Sequence, residues 1–136
     1  MIIDKFKKDH NDIMSCVNDL RALVEGGIAA NAEQIARQLV TMSATIKLHL
    51  ASEDTVLYPA LAKAGDPAIA RTAQQFQSEM GGIAAAYGQF IGNWRVGEKI
   101  AAAPEKFRAE ANGVFQALHQ RIQRENSELY PLAERL

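Results

Sequence analysis

Two segments of the chain share a pattern of residues that can bind a metal ion. The first reads HLASEDTVLYPALA from His49 to Ala62, and the second reads RIQRENSELYPLAE from Arg121 to Glu134. In both, a glutamate stands four residues before the leucine of a Leu-Tyr-Pro sequence, but the histidine that opens the first segment is an arginine in the second. Histidine and glutamate four residues apart lie on one face of a helix and can reach a single ion. The repeat therefore indicates a metal site with one altered half.

Glycine and proline residues divide the chain into four long segments that can position such a site. The breaks fall at residues 26–27, 65–67 and 97–104. Asn31 and Asp66 are expected to cap helices, and Pro67 and Pro104 suit the first position of a helix. Between the breaks the apolar residues recur in steps of three and four, which is the helical period. The sequence predicts an all-α, up-down-up-down four-helix bundle that forms a single domain over residues 1–136.

The same period assigns the core of the bundle. Pro59 and Pro131 come late in their helices, where we expect them to kink or end the helix. The predicted core residues are Phe6, Ile13, Val17, Leu20 and Val24 in the first helix, Ile35, Leu39, Met42, Ile46 and Val56 in the second, Ala73, Phe76, Met80, Ile83, Tyr87, Phe90 and Trp94 in the third, and Phe107, Val114, Leu118 and Leu129 in the fourth.

Five polar residues fall on these apolar stripes: His10, His49, Glu53, Arg121 and Glu125. Burying a charge costs free energy unless the charge is paired or bound to a metal. Imidazole nitrogen and carboxylate oxygen together suit iron, manganese or zinc, and helical bundles commonly build metal sites from facing helices. A second interpretation stays open, in which the arginine and the histidines neutralise the glutamates without any metal.

The chain resembles the hemerythrin-like family, also called the HHE cation-binding domain, over nearly its whole length. The resemblance rests on His10 in the first helix, on His49 and Glu53 before the first Leu-Tyr-Pro, and on Glu125 before the second. It implies a bundle with non-haem iron in its core. It also implies a role in oxygen binding or storage, in sensing of O2, NO or redox state, or in iron homeostasis.

The chain departs from the family's pattern where the resemblance implies a second ion. It has only three histidines in all. Met80, with Glu79 beside it, stands where the third helix of the family supplies a histidine, and Arg121 stands where the fourth does. His119 lies about 200° around the helix from that position and does not replace it. We expect Arg121 to fill the space of the second ion and to supply positive charge to Glu53, Glu125 or Glu79.

The resemblance therefore implies that the residues matching the family's pattern form a ligand set for one ion. Its members are His10, His49, Glu53 and Glu125. We expect the cofactor to be one non-haem iron, with manganese or zinc as alternatives, and the partners to be the metal ion and a small diatomic ligand. The alternative is a metal-free pseudo-hemerythrin that serves as a scaffold or interaction module. Enzymatic activity is not expected. Tyr58 and Tyr130 are expected to close the end of the bundle, with hydrogen bonding to the site as a further option.

The composition sets limits on partners and location. Apolar residues make up 48% of the chain, charged residues 23%, and the formal net charge is −1. This balance gives no reason to expect binding to nucleic acid or to an anionic membrane. No run of about 18 apolar residues suggests a membrane span, and the first residues lack an apolar signal core. One cysteine, Cys16, excludes an internal disulfide. We expect a cytoplasmic protein, and the sequence indicates no particular protein partner.

Overall fold

The computed structural model describes residues 2–135, and every element in that part of the chain is helical. The α-helices are α1 (Ile2–Glu25), α2 (Ala32–Ser52), α3 (Tyr58–Ala62), α4 (Pro67–Met80), α5 (Gly82–Trp94), α6 (Gly97–Ala102), α7 (Pro104–Arg124) and α8 (Tyr130–Glu134). Two π-helical turns, Glu53–Leu57 and Glu125–Leu129, join α2 to α3 and α7 to α8. The all-α prediction is confirmed.

These helices combine into four arms. Arm 1 is α1, arm 2 runs from α2 through its π turn to α3, arm 3 is α4 and α5, and arm 4 runs from α7 through its π turn to α8. The short helix α6 connects arms 3 and 4. Contacts of α1 with α2, α2 with α5, α5 with α7, and α1 with α8 join neighbouring arms around a ring. This arrangement is the predicted bundle.

Two apolar clusters show the direction of the arms. One cluster joins the beginnings of arms 1 and 3 to the ends of arms 2 and 4; among its members are Phe6, Leu57, Tyr58, Phe76 and Tyr130. The other cluster fills the opposite end of the bundle. Consecutive arms therefore run in opposite directions. Along arms 1, 2 and 4 the buried polar residues fall between the two clusters, so a polar layer separates two apolar ends.

The ends of the helices follow local sequence signals. Asp66 Oδ1 accepts hydrogen bonds from the backbone N–H groups of Ala68 at 2.8 Å and Ile69 at 3.4 Å, as an N-cap does. Asn31 also precedes a helix, but its side chain makes no capping hydrogen bond. Its amide donates instead to the carbonyl oxygen of Leu23 at 3.1 Å, which ties the loop back to α1.

Each π turn inserts one residue into the helical register. The N–H of Tyr58 donates to the carbonyl of Glu53, and that of Tyr130 donates to Glu125, five residues back in both cases. The insertion turns Leu57 inward, whereas Val56 is 50% exposed. The prediction that Val56 lies in the core was wrong, because it continued the regular period through the turn. Among the other predicted core residues, Val24, Ile83 and Val114 are half-buried and the rest are buried.

The π turns also explain how the arms continue past their prolines. Pro59 and Pro131 each occupy the second residue of the short helix that follows a π turn. Proline lacks a backbone N–H and is tolerated in the first turn of a helix. The π turn begins a new helical segment just before each proline, so α3 and α8 extend the arms where we had expected a kink or an end.

Candidate metal centre

Four side chains that were predicted to bind metal come together within the polar layer. They come from α1, from α2 and from the first residue of each π turn. One nitrogen or oxygen atom of each lies within 4.8 Å of the corresponding atoms of the others. None of these residues is more than 2% exposed. The four are His10, His49, Glu53 and Glu125.

The ring of His10 is oriented by Asn126. Its Nδ1 lies 2.8 Å from Asn126 Oδ1, and because that amide oxygen can only accept, Nδ1 carries the hydrogen of the neutral ring. When the ring is neutral, the other nitrogen, Nε2, is unprotonated. It lies 3.0 Å from Glu125 Oε1 and 2.9 Å from the hydroxyl of Tyr130. The ring therefore presents a lone pair to the polar layer.

The ring of His49 is oriented in the same way by Asp9, whose Oδ2 lies 3.1 Å from Nδ1. His49 Nε2 lies 2.9 Å from Glu53 Oε1, but without the geometry of a hydrogen bond, and this buried nitrogen has no hydrogen-bond partner within residues 2–135. Burial lowers the pKa of His49, but Glu53 and Asp9 outweigh burial and raise it overall. Like His10, His49 directs Nε2 at a carboxylate oxygen.

This arrangement fits a bound cation. When both rings are neutral, an unprotonated nitrogen of each faces a carboxylate oxygen, at 3.0 Å for His10 and 2.9 Å for His49. Two lone pairs at such distances repel each other unless a positive charge lies between them. A proton on each ring would supply that charge, and so would one metal ion shared by both pairs. Two nitrogen and two oxygen donors suit iron, manganese or zinc.

Both glutamates also accept hydrogen bonds from tyrosines. The Tyr58 hydroxyl donates to Glu125 Oε2 at 2.5 Å, and the Tyr130 hydroxyl donates to Glu53 Oε2 at 2.6 Å. Burial and the neighbouring carboxylates hold the pKa of both phenols well above the usual range, so both stay protonated. The two tyrosines are hydrogen-bond donors to the site as well as members of the apolar cluster.

The surroundings of the two glutamates differ in charge. For Glu125, burial alone would raise the pKa of the carboxyl, but His10 and Arg121 outweigh burial and lower it overall. For Glu53, burial and the nearby charge of Glu125 raise the pKa, and His49 and Arg121 offset only part of that rise. In the metal-free protein, Glu125 is the more firmly ionised of the two.

Arg121 lies beside the four side chains and is fully buried. Its Nε donates to Glu125 Oε2 at 3.0 Å, and one terminal nitrogen donates to the Met80 carbonyl oxygen at 3.2 Å. The other terminal nitrogen donates to Asp54 Oδ1 at 2.9 Å and to Glu53 Oε1 at 3.4 Å. The guanidinium therefore contacts both glutamates of the site at once.

A model of the family described as the hemerythrin HHE cation-binding domain matches residues 1–133. The chain belongs to this family. The buried group of two histidines and two glutamates agrees with cation binding by this domain. Comparisons with curated proteins and with solved structures gave no match. In residues 2–135 of this hemerythrin-like domain, no helix is long and apolar enough to cross a membrane.

Two residues that were expected beside Arg121 have other roles in this hemerythrin-like domain. Glu79 is 41% exposed and pairs with Arg124 at 2.5 Å, so its expected pairing with Arg121 was wrong. Arg124 is three residues further along α7, on the outer face, where Glu79 can reach it. Met80 buries its side chain in an apolar cluster and offers Arg121 only its backbone carbonyl. His119 is exposed, as expected from its position on the helix.

Sequence reasoning missed three polar partners of the site: Asp9, Asp54 and Asn126. Each is the immediate neighbour in sequence of a polar residue on an apolar stripe. These neighbours are His10, Glu53 and Glu125. The three missed partners lie off the stripes and reach the site from its rim. Their position directly beside a buried polar residue was the signal in the sequence that could have identified them.

Proposed function

We propose that this hemerythrin-like domain binds one non-haem iron ion in its core and uses it to bind or sense O2, NO or redox state. The proposed ligands are His10, His49, Glu53 and Glu125. The observation that carries the proposal is the orientation of the two histidines. Asn126 and Asp9 fix both rings so that the Nε2 atoms face the glutamate oxygens.

The position of Arg121 supports a single ion. The resemblance to the family implies two ions bridged by the two glutamates, with histidines from the third and fourth helices on the second ion. Here the guanidinium binds Glu53 and Glu125 on the side where those histidines are missing. It provides the positive charge that a second ion would otherwise supply to the glutamates.

The choice of iron rests on the family resemblance, since manganese and zinc accept the same donors. A bound ion would supply a Lewis-acidic centre for a small ligand. We propose a binding or sensing role, not catalysis, because a single ion lacks the paired iron that two-electron oxygen chemistry in the family would use. The cytoplasmic location and the lack of nucleic-acid partners stay predictions.

A metal-free scaffold is the second candidate function. The observation that favours it is the completeness of the network around Arg121, whose guanidinium donates to Glu125, Met80, Asp54 and Glu53. Such a network can hold buried carboxylates without an ion. In this case the protein would fold fully without metal and would present its surface, not its core, to a partner.

Elemental analysis of protein purified without an affinity tag or chelator, and then reconstituted with ferrous iron, tests the proposal. We expect one ion per chain in the natural protein and loss of that ion in His49→Ala. The matched control is His119→Ala, which removes an exposed histidine and should leave the ion in place. The double variant Arg121→His, Met80→His should raise the metal content toward two. Natural protein that stays metal-free after reconstitution would overturn the proposal in favour of the scaffold.

A further inference from the structure

When His10 and His49 are neutral, as metal-binding histidines must be, the charges around Arg121 balance only with a doubly charged ion. Three carboxylates contact its guanidinium: Glu53, Glu125 and Asp54. The guanidinium contributes one positive charge that cannot be removed by deprotonation. A fourth carboxylate nearby, Asp9, is paired on its outer side with Lys5 at 3.2 Å. The carboxylates around the guanidinium therefore exceed it by two negative charges.

The burial of these side chains raises the free-energy cost of the excess negative charge. Glu53, Glu125 and Arg121 are fully buried, and Asp54 is 24% exposed. An unbalanced charge in such surroundings costs much more free energy than in water. A divalent ion held by neutral histidines would cancel the excess, whereas a trivalent ion would leave one positive charge. Replacing the arginine by a neutral residue would raise the excess to three and favour the trivalent ion.

We propose that Arg121 makes the site selective for a divalent ion and holds iron in the ferrous state. This inference rests on the proposed function, because it concerns the ion bound by that same site. Redox sensing would require the ion to change its charge, so this inference favours binding of a small ligand over redox sensing.

Competition titrations of the metal-free protein test the selectivity, with Zn(II) as the divalent probe and Ga(III) as a redox-inert trivalent probe. We expect the wild type to prefer Zn(II). In Arg121→Gln the ratio of Ga(III) to Zn(II) affinity should rise at least about tenfold, because a unit charge close to the ion is lost. Arg121→Lys retains the charge and should keep the preference for Zn(II). Arg124→Gln removes an arginine that pairs at the surface and should not change the ratio.

A second variant, which changes the charge of the site in the opposite direction, tests the inference if Arg121→Gln does not fold. Asp54→Asn removes one of the three carboxylates at a partly exposed position, so the ratio of Ga(III) to Zn(II) affinity should fall below that of the wild type. The midpoint potential of the iron-bound protein gives a second readout. Each tenfold change in the relative affinity for Fe(III) and Fe(II) corresponds to about 59 mV, and Arg121→Gln should lower the potential.

The outcomes separate this inference from the proposed function. If both ions bind to the wild type and the affinity ratio is the same in Arg121→Gln and Asp54→Asn, the inference is overturned while metal binding stands. If neither ion binds to the wild type, the proposed function fails and the inference fails with it. If the ratio of Ga(III) to Zn(II) affinity rises in Arg121→Gln and falls in Asp54→Asn, the result supports the inference that Arg121 controls the charge of the bound ion.

Discussion

Tyr130 in arm 4 donates its hydroxyl hydrogen to Glu53 in arm 2 across the bundle, at 2.6 Å. The reciprocal bond runs from Tyr58 in arm 2 to Glu125 in arm 4, at 2.5 Å. Each glutamate is therefore held by the tyrosine of the other repeated segment. In neither copy does the tyrosine donate to the glutamate of its own segment.

Removing one of these hydroxyls should destabilise the metal-free protein. Tyr130→Phe removes the 2.6 Å hydrogen bond to Glu53 Oε2, and a hydrogen bond to a charged group contributes about 1.5–3 kcal/mol. We expect a loss of about 2 kcal/mol in the free energy of unfolding, measured by urea denaturation. Tyr58→Phe should show a similar loss, because its bond to Glu125 is equivalent. An unchanged urea midpoint in both variants would contradict this role of the tyrosines.

Tyr87→Phe should have the opposite effect. The Tyr87 hydroxyl is buried and has no hydrogen-bond partner within residues 2–135. Burial holds the pKa of this phenol above its usual range. Leaving a buried donor unsatisfied costs about 1–3 kcal/mol, so its removal should raise the free energy of unfolding. The same urea experiment measures the change, and destabilisation in Tyr87→Phe would reveal a partner for this hydroxyl.

The register of the first π turn can be tested by a pair of neighbouring substitutions. Leu57 is buried and Val56 is 50% exposed. Leu57→Ala should lower the free energy of unfolding by about 2–5 kcal/mol, as expected for a buried leucine. Val56→Ala should change it by no more than about 0.5 kcal/mol, as at most exposed positions. A regular helix without the π turn predicts the reverse order, so thermal unfolding of both variants distinguishes the two registers.

Truncation of Arg121 should be strongly destabilising in the metal-free state. Arg121→Ala leaves Glu53 and Glu125 buried without their guanidinium, and breaking a buried ion pair in this way costs about 3–5 kcal/mol. The matched control is Arg124→Ala, whose ion pairs with Glu79 and Glu128 lie at the surface, where such pairs contribute little to stability. Chemical denaturation in the presence of chelator measures both. Equal losses in the free energy of unfolding of the two variants would show that the burial of Arg121 does not increase its contribution to stability.

The single thiol should be slow to react at neutral pH. Burial, followed by the charges of Asp19 and Asp12, raises the pKa of Cys16 above its ordinary value of 9.0. Since only the thiolate is nucleophilic, alkylation by iodoacetamide should accelerate with pH and reach its midpoint above that value. Asp19→Asn should move the midpoint down. A midpoint below 9.0 in the wild type would contradict this assignment.

The helices and most of the core could be predicted from the sequence, because an apolar period that matches the helix determines which face is buried. The same period placed His49, Glu53 and Glu125 inside the bundle, as the structure does. It failed at Val56, where one inserted residue changes the register. Nothing in the hydrophobic pattern signals such an insertion, since both Val56 and Leu57 are apolar.

The partners of the buried charges were harder to predict. Of the three expected partners of Arg121, the structure brings Glu53 and Glu125 into contact with it, whereas Glu79 pairs with Arg124. The structure pairs Arg121 with Asp54, because the π turn that begins at Glu53 carries the adjacent aspartate to the rim of the site. Selection of one ion pair among several depends on side-chain distances between arms, and helical period alone does not determine those distances.

The crossed pairing of tyrosines and glutamates has a consequence for how the chain folds. The two bonds join residues 77 and 67 positions apart, so both wait for distant parts of the chain to meet. If arm 2 docked without arm 4, it would bury a carboxylate and a phenol that each lack a partner, at a cost in free energy. The polar layer thus disfavours partly assembled bundles in which one of the two arms is undocked. We therefore expect arms 2 and 4 to dock together and to bring the proposed metal ligands into place in the step that closes the bundle.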